Sequence, residues 1–156
     1  MLNYEYEHSV ITSASPDAIL ALWRDPASWP SWDTSVTKVD LDGPFAVGNG
    51  GTMHLAGQDP VSFTLTAIDE SGFTDETPIP GGVLRFIHVV APHQEGAVVT
   101  HRVQIETVQI EGGAEFAAQL GPAVTEDVPE AMAGLVALAE ARRVPGPDAD
   151  AASSVA

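Results

Sequence analysis

Residues 83–108 read Val83-Leu84-Arg85-Phe86-Ile87-His88-Val89-Val90, then Ala91-Pro92-His93-Gln94-Glu95-Gly96, then Ala97 through Val108. Two runs rich in β-branched residues flank a short polar turn containing Gly, the pattern of a β-hairpin. With the turn centred on Gln94-Glu95, His88 falls opposite His101, Phe86 opposite Val103 and Val90 opposite Val99. One face then carries Leu84, Phe86, His88, Val90, Val99, His101, Val103 and Ile105. The other carries Arg85, Thr100, Arg102, Gln104 and Glu106. A slip of one residue would set Arg102 and Gln104 against Leu84 and Phe86, and polarity opposes it. Two histidines therefore face each other on an otherwise apolar surface, which reads as one wall of a small-molecule cavity.

Upstream, residues 3–12 alternate. Tyr4, Tyr6, His8 and Val10 share one face of a half-buried strand, and Glu5, Glu7 and Ser9 share the other. Ser15-Pro16-Asp17 opens a helix running to about Arg24, with Ser15 as N-cap, Pro16 in the first turn and Asp17 opposing the dipole. It buries Ile19, Leu22 and Trp23. Asp25-Pro26 ends it, and Ala27 to Asp33 form a second short helical turn or loop. Strands are expected at about 34–41, 51–56, 61–68, 72–77, 83–91 and 96–109, joined by short turns as an antiparallel meander. After Gly112-Gly113, Phe116, Leu120, Val124, Val128, Met132, Leu135 and Ala139 recur at helical spacing. Gly121-Pro122 should split off a short first piece, and Pro129 should kink the long one.

The element order predicts an α+β fold: a seven-stranded antiparallel sheet wrapped around a long C-terminal helix, with two short helices after strand 1. The curl leaves a pocket between helix and sheet. At 156 residues the chain suits one domain. That domain is expected over 1–143, with a disordered tail over 144–156. Cysteine is absent, so no disulfide or thiolate metal site can form. The net charge of −16, from 22 acidic and 6 basic side chains, repels nucleic acid and anionic membrane surfaces. No signal peptide and no bilayer-spanning run is read, so a cytoplasmic protein, monomer or homodimer, is expected.

Several stretches carry a resemblance: Ser15-Pro16-Asp17 through Leu22-Trp23; Asp25 with Trp29-Pro30-Ser31-Trp32-Asp33; Phe73 through Pro78; Leu84-Arg85-Phe86 with His88; and Val99 through Val103. Over residues 3 to about 141 the chain resembles the polyketide cyclase/dehydrase and lipid-transport branch of the START-like (Bet v 1-like, SRPBCC) superfamily. The resemblance implies the helix-grip fold and an enclosed cavity. Some members of that family cyclise or aromatise polyketides, and others bind lipids, hormones or aromatic compounds.

The strand register, continued through the turns, pairs His54 with Phe63 and places Glu76 beside Leu65 and Leu84. The inward polar set is then His8, His54, Glu76, His88 and His101, while Asp75 falls opposite Arg85 on the outer face. His88 and His101 are the candidate general acid and base, with Glu76 as a further proton-transfer group. His54, Trp32, Phe63, Phe86 and Val103, with Phe116 and Leu120 from the helix, are the candidate ligand contacts. No His-x-His or His-Glu-x-x-His spacing exists, so neither a metal nor another cofactor is expected. The expected function is binding of a hydrophobic or aromatic, polyketide-like molecule, with cyclisation or dehydration by histidine acid–base chemistry. The alternative is a non-catalytic carrier or sensor of a lipid or aromatic compound.

Overall fold

Strand β1 (Leu2–Thr12) leads into helix α1 (Pro16–Trp23) and a 3-10 turn (Pro26–Ser31). The strands β2 (Val36–Leu41), β3 (Gly50–Leu55), β4 (Val61–Asp69), β5 (Gly72–Ile79), β6 (Gly82–His93) and β7 (Gly96–Thr107) follow, and then helices α2 (Gly113–Thr125) and α3 (Val128–Arg143). This computed structural model describes residues 1–108 and 111–143; the expected tail over 144–156 lies outside the described residues.

All seven strands form one antiparallel sheet in the order β1-β7-β6-β5-β4-β3-β2. The β6–β7 hairpin has the expected register: His88 pairs with His101, Phe86 with Val103, and Val90 with Val99. Every second residue of β7, from Ala97 to Thr107, is buried, as a strand with one face on a core requires. β1 closes on the far side of β7 and sets His8 beside His101 and Tyr6 beside Val103.

The start of α1 follows from its cap. Ser15 Oγ accepts the Ala18 N–H at 3.2 Å, and Pro16 occupies the first turn, where its missing N–H has no intrahelical partner to lose. Ile19, Leu20, Leu22 and Trp23 are buried. The 3-10 turn satisfies carbonyls at the end of α1. Ser28 Oγ donates to Leu22 O at 3.0 Å, and Trp29 Nε1 donates to Trp23 O at 3.1 Å.

The C-terminal helix is broken, though one turn later than the sequence suggests. α2 runs through Pro122 and ends at Thr125, and α3 starts at Val128 with Pro129 in its first turn. Pro129 has no N–H for the Thr125 carbonyl, so the ladder stops there. Pro122 is tolerated because the surrounding turns are anchored on β1. The Thr125 hydroxyl meets the Tyr4 hydroxyl at 3.1 Å, and a Cβ on Gly121 would come within 2.4 Å of the Tyr4 ring. Gly134 brings α3 onto the 3-10 turn in the same way, since a Cβ there would lie 2.3 Å from Trp32 O.

The architecture is the helix-grip fold: an open seven-stranded sheet gripping a C-terminal helix made of α2 and α3, with two short helical segments after β1. No described helix is long and apolar enough to cross a membrane. Both helices lean on β1 and β7, and α3 also packs on α1. The C-terminal helices leave the other half of the sheet, from β3 to β5, largely uncovered, with α1 reaching β5 at Phe73, and that asymmetry creates the site.

Candidate functional site

A cavity of about 400 Å³ fills the space between that uncovered half of the sheet and the helices. Phe63, Leu84 and Phe86 rise from the sheet, Trp29 and Trp32 close one end, and Leu120, Val124 and Val128 come down from the helix side. Leu120 and Val124 are only half-buried because they face this hollow, whereas Met132 and Leu135, further along α3, are fully buried in the solid part of the core.

Four polar side chains of β5, β6 and β7 converge on its inner wall. His88 and His101 are neighbours across β6–β7, with ring centroids 4.6 Å apart in an edge-to-face arrangement. His88 stacks on Phe73 at 4.0 Å and donates its Nδ1–H to the Phe73 carbonyl at 3.2 Å, which leaves Nε2 with its lone pair. Trp23 seals the pair from behind, its ring 5.5 Å from His88 and 5.8 Å from His101. Burial holds His88 down at about 4, against some support from the Phe73 carbonyl for the charged form. Burial, with the neighbouring His88 and His8, holds His101 well below the usual histidine range. Both imidazoles are thus neutral near pH 7. His101 Nε2 and Trp32 Nε1 are buried without a hydrogen-bond partner among the described residues.

The remaining two are Asp75 and Thr77 on β5. Asp75 pairs with Phe86 on one side and Leu65 on the other, and is 4% exposed. Burial, reinforced by the charge of Glu76, pushes its carboxyl up to about 8, so it is protonated at neutral pH.

Of the residues singled out from sequence, His88, His101, Trp32, Phe63, Phe86 and Leu120 line the cavity together. The other four do not. Glu76 lies on the outer face, opposite Arg85, where it accepts the Arg85 Nε–H at 2.8 Å. The expected pairing of Asp75 with Arg85 was one residue out of register. The β5–β6 connection is a two-residue turn, Pro80-Gly81, with Gly81 at φ 75° and Ile79 opposite Gly82. A one-residue slip exchanges the faces, so Asp75 points in and Glu76 out. Pro-Gly at the two central positions of a tight turn was the available signal.

His54 is likewise on the outer face. It pairs with Lys38 rather than Phe63, and its Nε2 lies 3.1 Å from Asp40 Oδ2. Phe63 instead faces Gly51, because β3 leaves β4 after Met53 and continues along β2 alone. Val103 is 1% exposed beneath Phe86, in the core rather than at the cavity surface. Phe116 is exposed: α2 turns its small residues, Ala117 and Gly121, to the sheet, and Phe116 is carried to the flank. The outward side chains give a control. His54→Ala and Glu76→Gln should leave ligand affinity within about twofold of the parent, since neither side chain reaches the cavity. Calorimetric titration checks this.

Residues 4–140 match the protein family described as polyketide cyclase / dehydrase and lipid transport. No curated protein sequence matches the chain. Among solved structures, the Zhui aromatase/cyclase from a Streptomyces species aligns over 92% of this chain and 96% of its own, at 15% identity and TM-score 0.72. The di-domain aromatase/cyclase StfQ of the steffimycin biosynthetic pathway aligns over 88% of this chain at 12% identity and TM-score 0.72. The chain spans about half of StfQ, 51% of its length. Norcoclaurine synthase from Thalictrum flavum, in complex with dopamine and hydroxybenzaldehyde, aligns over 86% of this chain and 85% of its own, at 16% identity and TM-score 0.67. At these identities the structural likeness speaks for the fold.

Proposed function

The chain belongs to the polyketide cyclase/dehydrase and lipid-transport family, and on that premise we propose that it binds a polyketide-like aromatic carbonyl compound in the cavity and catalyses its enolisation, the first step of an aldol cyclisation or dehydration. The observation that carries this reading is the pair of neutral imidazoles, His88 and His101, at the wall of a hollow otherwise made of aromatic and aliphatic side chains. Aromatic rings offer flat apolar area to a flat ligand. A base that keeps its lone pair at neutral pH can take a proton from the carbon beside a carbonyl.

His88 is the base in this scheme. Its Nδ1–H is committed to the Phe73 carbonyl, which fixes the tautomer and directs Nε2 away from the backbone. His101, edge-on beside it, completes the acid–base pair. The walls do the rest by holding an extended chain in a folded, near-reactive shape. Support for the family assignment to this chemistry comes from its aromatase/cyclase structural neighbours.

Native mass spectrometry of the protein, mixed with a naphthyl methyl ketone and with an aliphatic ketone of equal carbon count, tests the binding half. One aromatic ketone per chain is expected, retained at collision energies that strip the aliphatic one. Equal or absent retention of both would contradict the reading.

A further inference from the structure

The cavity wall holds one ionisable group that the acid–base pair does not use. Asp75 is 96% buried, counted from its 4% exposure, and lines the hollow between Phe86 and Leu65. No hydrogen bond from the described residues stabilises its charged form; burial and the like charge of Glu76 both oppose ionisation. A neutral carboxyl has one O–H to give, and that of Asp75 is given to no described residue. Two residues of the same wall, Trp32 and His101, also carry a buried ring nitrogen with no partner among the described residues. Buried polar groups without partners are uncommon, and a carboxyl left so at the edge of a hollow points to a ligand that supplies the missing oxygen. Three acidic side chains, Asp33, Asp75 and Asp127, line the cavity, and no Lys or Arg among the described residues does.

We propose that Asp75 is the ligand-recognising acid of this site: it donates its carboxyl proton in a hydrogen bond to a ketone oxygen, and so selects uncharged aromatic ketones over the corresponding carboxylates. The inference rests on the functional reading above and names its substrate class. A carboxylate ligand would meet three acidic side chains and no cation, and would be rejected. A ketone gains a donor in a dry site, where a hydrogen bond is electrostatically stronger than in water. The preference for a ketone over the bare aromatic frame then fails once Asp75 ionises, because the donor becomes a charge with only lone pairs to offer.

The ionisable groups that share the cavity with Asp75 are His88 on β6, His101 on β7, Asp33 ahead of β2 and Asp127 between α2 and α3, and on β1 His8 and Tyr6 lie beyond β7, beside His101 and Val103. Glu76 adjoins it on the opposite face, and β3, β4 and α1 turn no ionisable side chain toward it. The Asp75→Asn variant keeps all of these and an N–H donor while losing the titration, so its pH profile isolates Asp75.

Three fluorescent probes on one frame test the proposal: acetyl-methoxynaphthalene, methoxynaphthoate and methoxynaphthalene, titrated into the full chain. At about pH 6.5 the wild type should bind the ketone about tenfold more tightly than either other probe, and by about pH 9.5 its advantage over methoxynaphthalene should be gone while the naphthoate stays excluded. Asp75→Asn should bind the ketone within about threefold of wild type and hold it equally across the same range. The proposal is overturned if ketone and methoxynaphthalene bind alike at the lower pH, if the naphthoate binds as well as the ketone, or if the pH loss persists in Asp75→Asn. The wild-type profile alone decides the matter should the variant not fold. Binding of none of the three probes would instead overturn the cavity reading on which the proposal stands.

Discussion

Asp75→Asn should stabilise the protein at pH 7 by on the order of 3–4 kcal/mol, a large gain for one buried polar substitution. Burial raises the folded-state carboxyl from 3.8 to about 8. Below about pH 4 the side chain is protonated in both folded and unfolded chains, and its contribution is fully present. As pH rises the unfolded chain releases the proton first, so stability is lost progressively up to about 8 and levels off above it. Asparagine has no proton to lose, so the difference between variant and parent should be near zero at about pH 4 and grow by about 1.4 kcal/mol per pH unit. His88, lowered to about 4, works in the opposite direction. Its contribution is present above the ordinary histidine range and is lost as pH falls toward 4, equally in both proteins. Urea unfolding at each pH unit from about 4 to 8 measures the difference curve directly. A flat curve would mean that Asp75 is ionised in the folded chain. A fold that carries so costly a group in its cavity wall, with no partner for it, is one whose site uses the group.

The His88→Phe/His101→Phe double substitution should cost at least about 100-fold in protein-catalysed enolisation while leaving the fold intact. The reaction can be followed on acetyl-methoxynaphthalene in deuterated water, by loss of the acetyl methyl proton signal. Nε2 of His88 takes a proton from the methyl carbon, so the α C–H bond breaks, an N–H bond forms, and the carbonyl oxygen, held by the Asp75 O–H, becomes the enolate oxygen. The imidazolium and enolate so produced lie in the same cavity with opposite charges, which offsets the low basicity of His88 in the empty site. Phenylalanine keeps the flat shape that packs on Phe73 and Trp23 but has no lone pair. Exchange undiminished in the double variant would remove both histidines from the chemistry. Exchange absent from the wild type, with the ketone still bound, would mark the protein as a carrier.

The hairpin, the cap of α1 and the element order were legible because polarity alone enforces them. Sliding Arg102 under Phe86 is expensive, and Ser15-Pro16-Asp17 carries the signals of a helix start together. Thr74-Asp75-Glu76-Thr77 has no such contrast. Every residue in it is polar, so a register error of one carries no penalty visible in the sequence, and only the Pro80-Gly81 turn decides which acid faces inward. His54 was misplaced for a related reason: the β3–β4 ladder ends at Met53 opposite Val61 while β3 stays paired with β2, a tertiary event with no local signature. In α2, small residues won over large ones. Ala117 and Gly121 let the helix approach β1 and β7, and the apolar Phe116 was left outside. The cavity itself is a property of where the helices lean, which hydrophobic periodicity cannot express.

Long-range proton–nitrogen NMR spectra of the five imidazoles, recorded without and with acetyl-methoxynaphthalene, test the central claim most directly. His88 should show the Nδ1–H tautomer and stay neutral down to about pH 5, and the ring nitrogens of His88 and His101 should shift on ligand addition. His54, paired with Asp40 on the outer face, and His93, at the β6–β7 turn, should not move. Shifts at His54 or His93 with none at His88 and His101 would contradict the account.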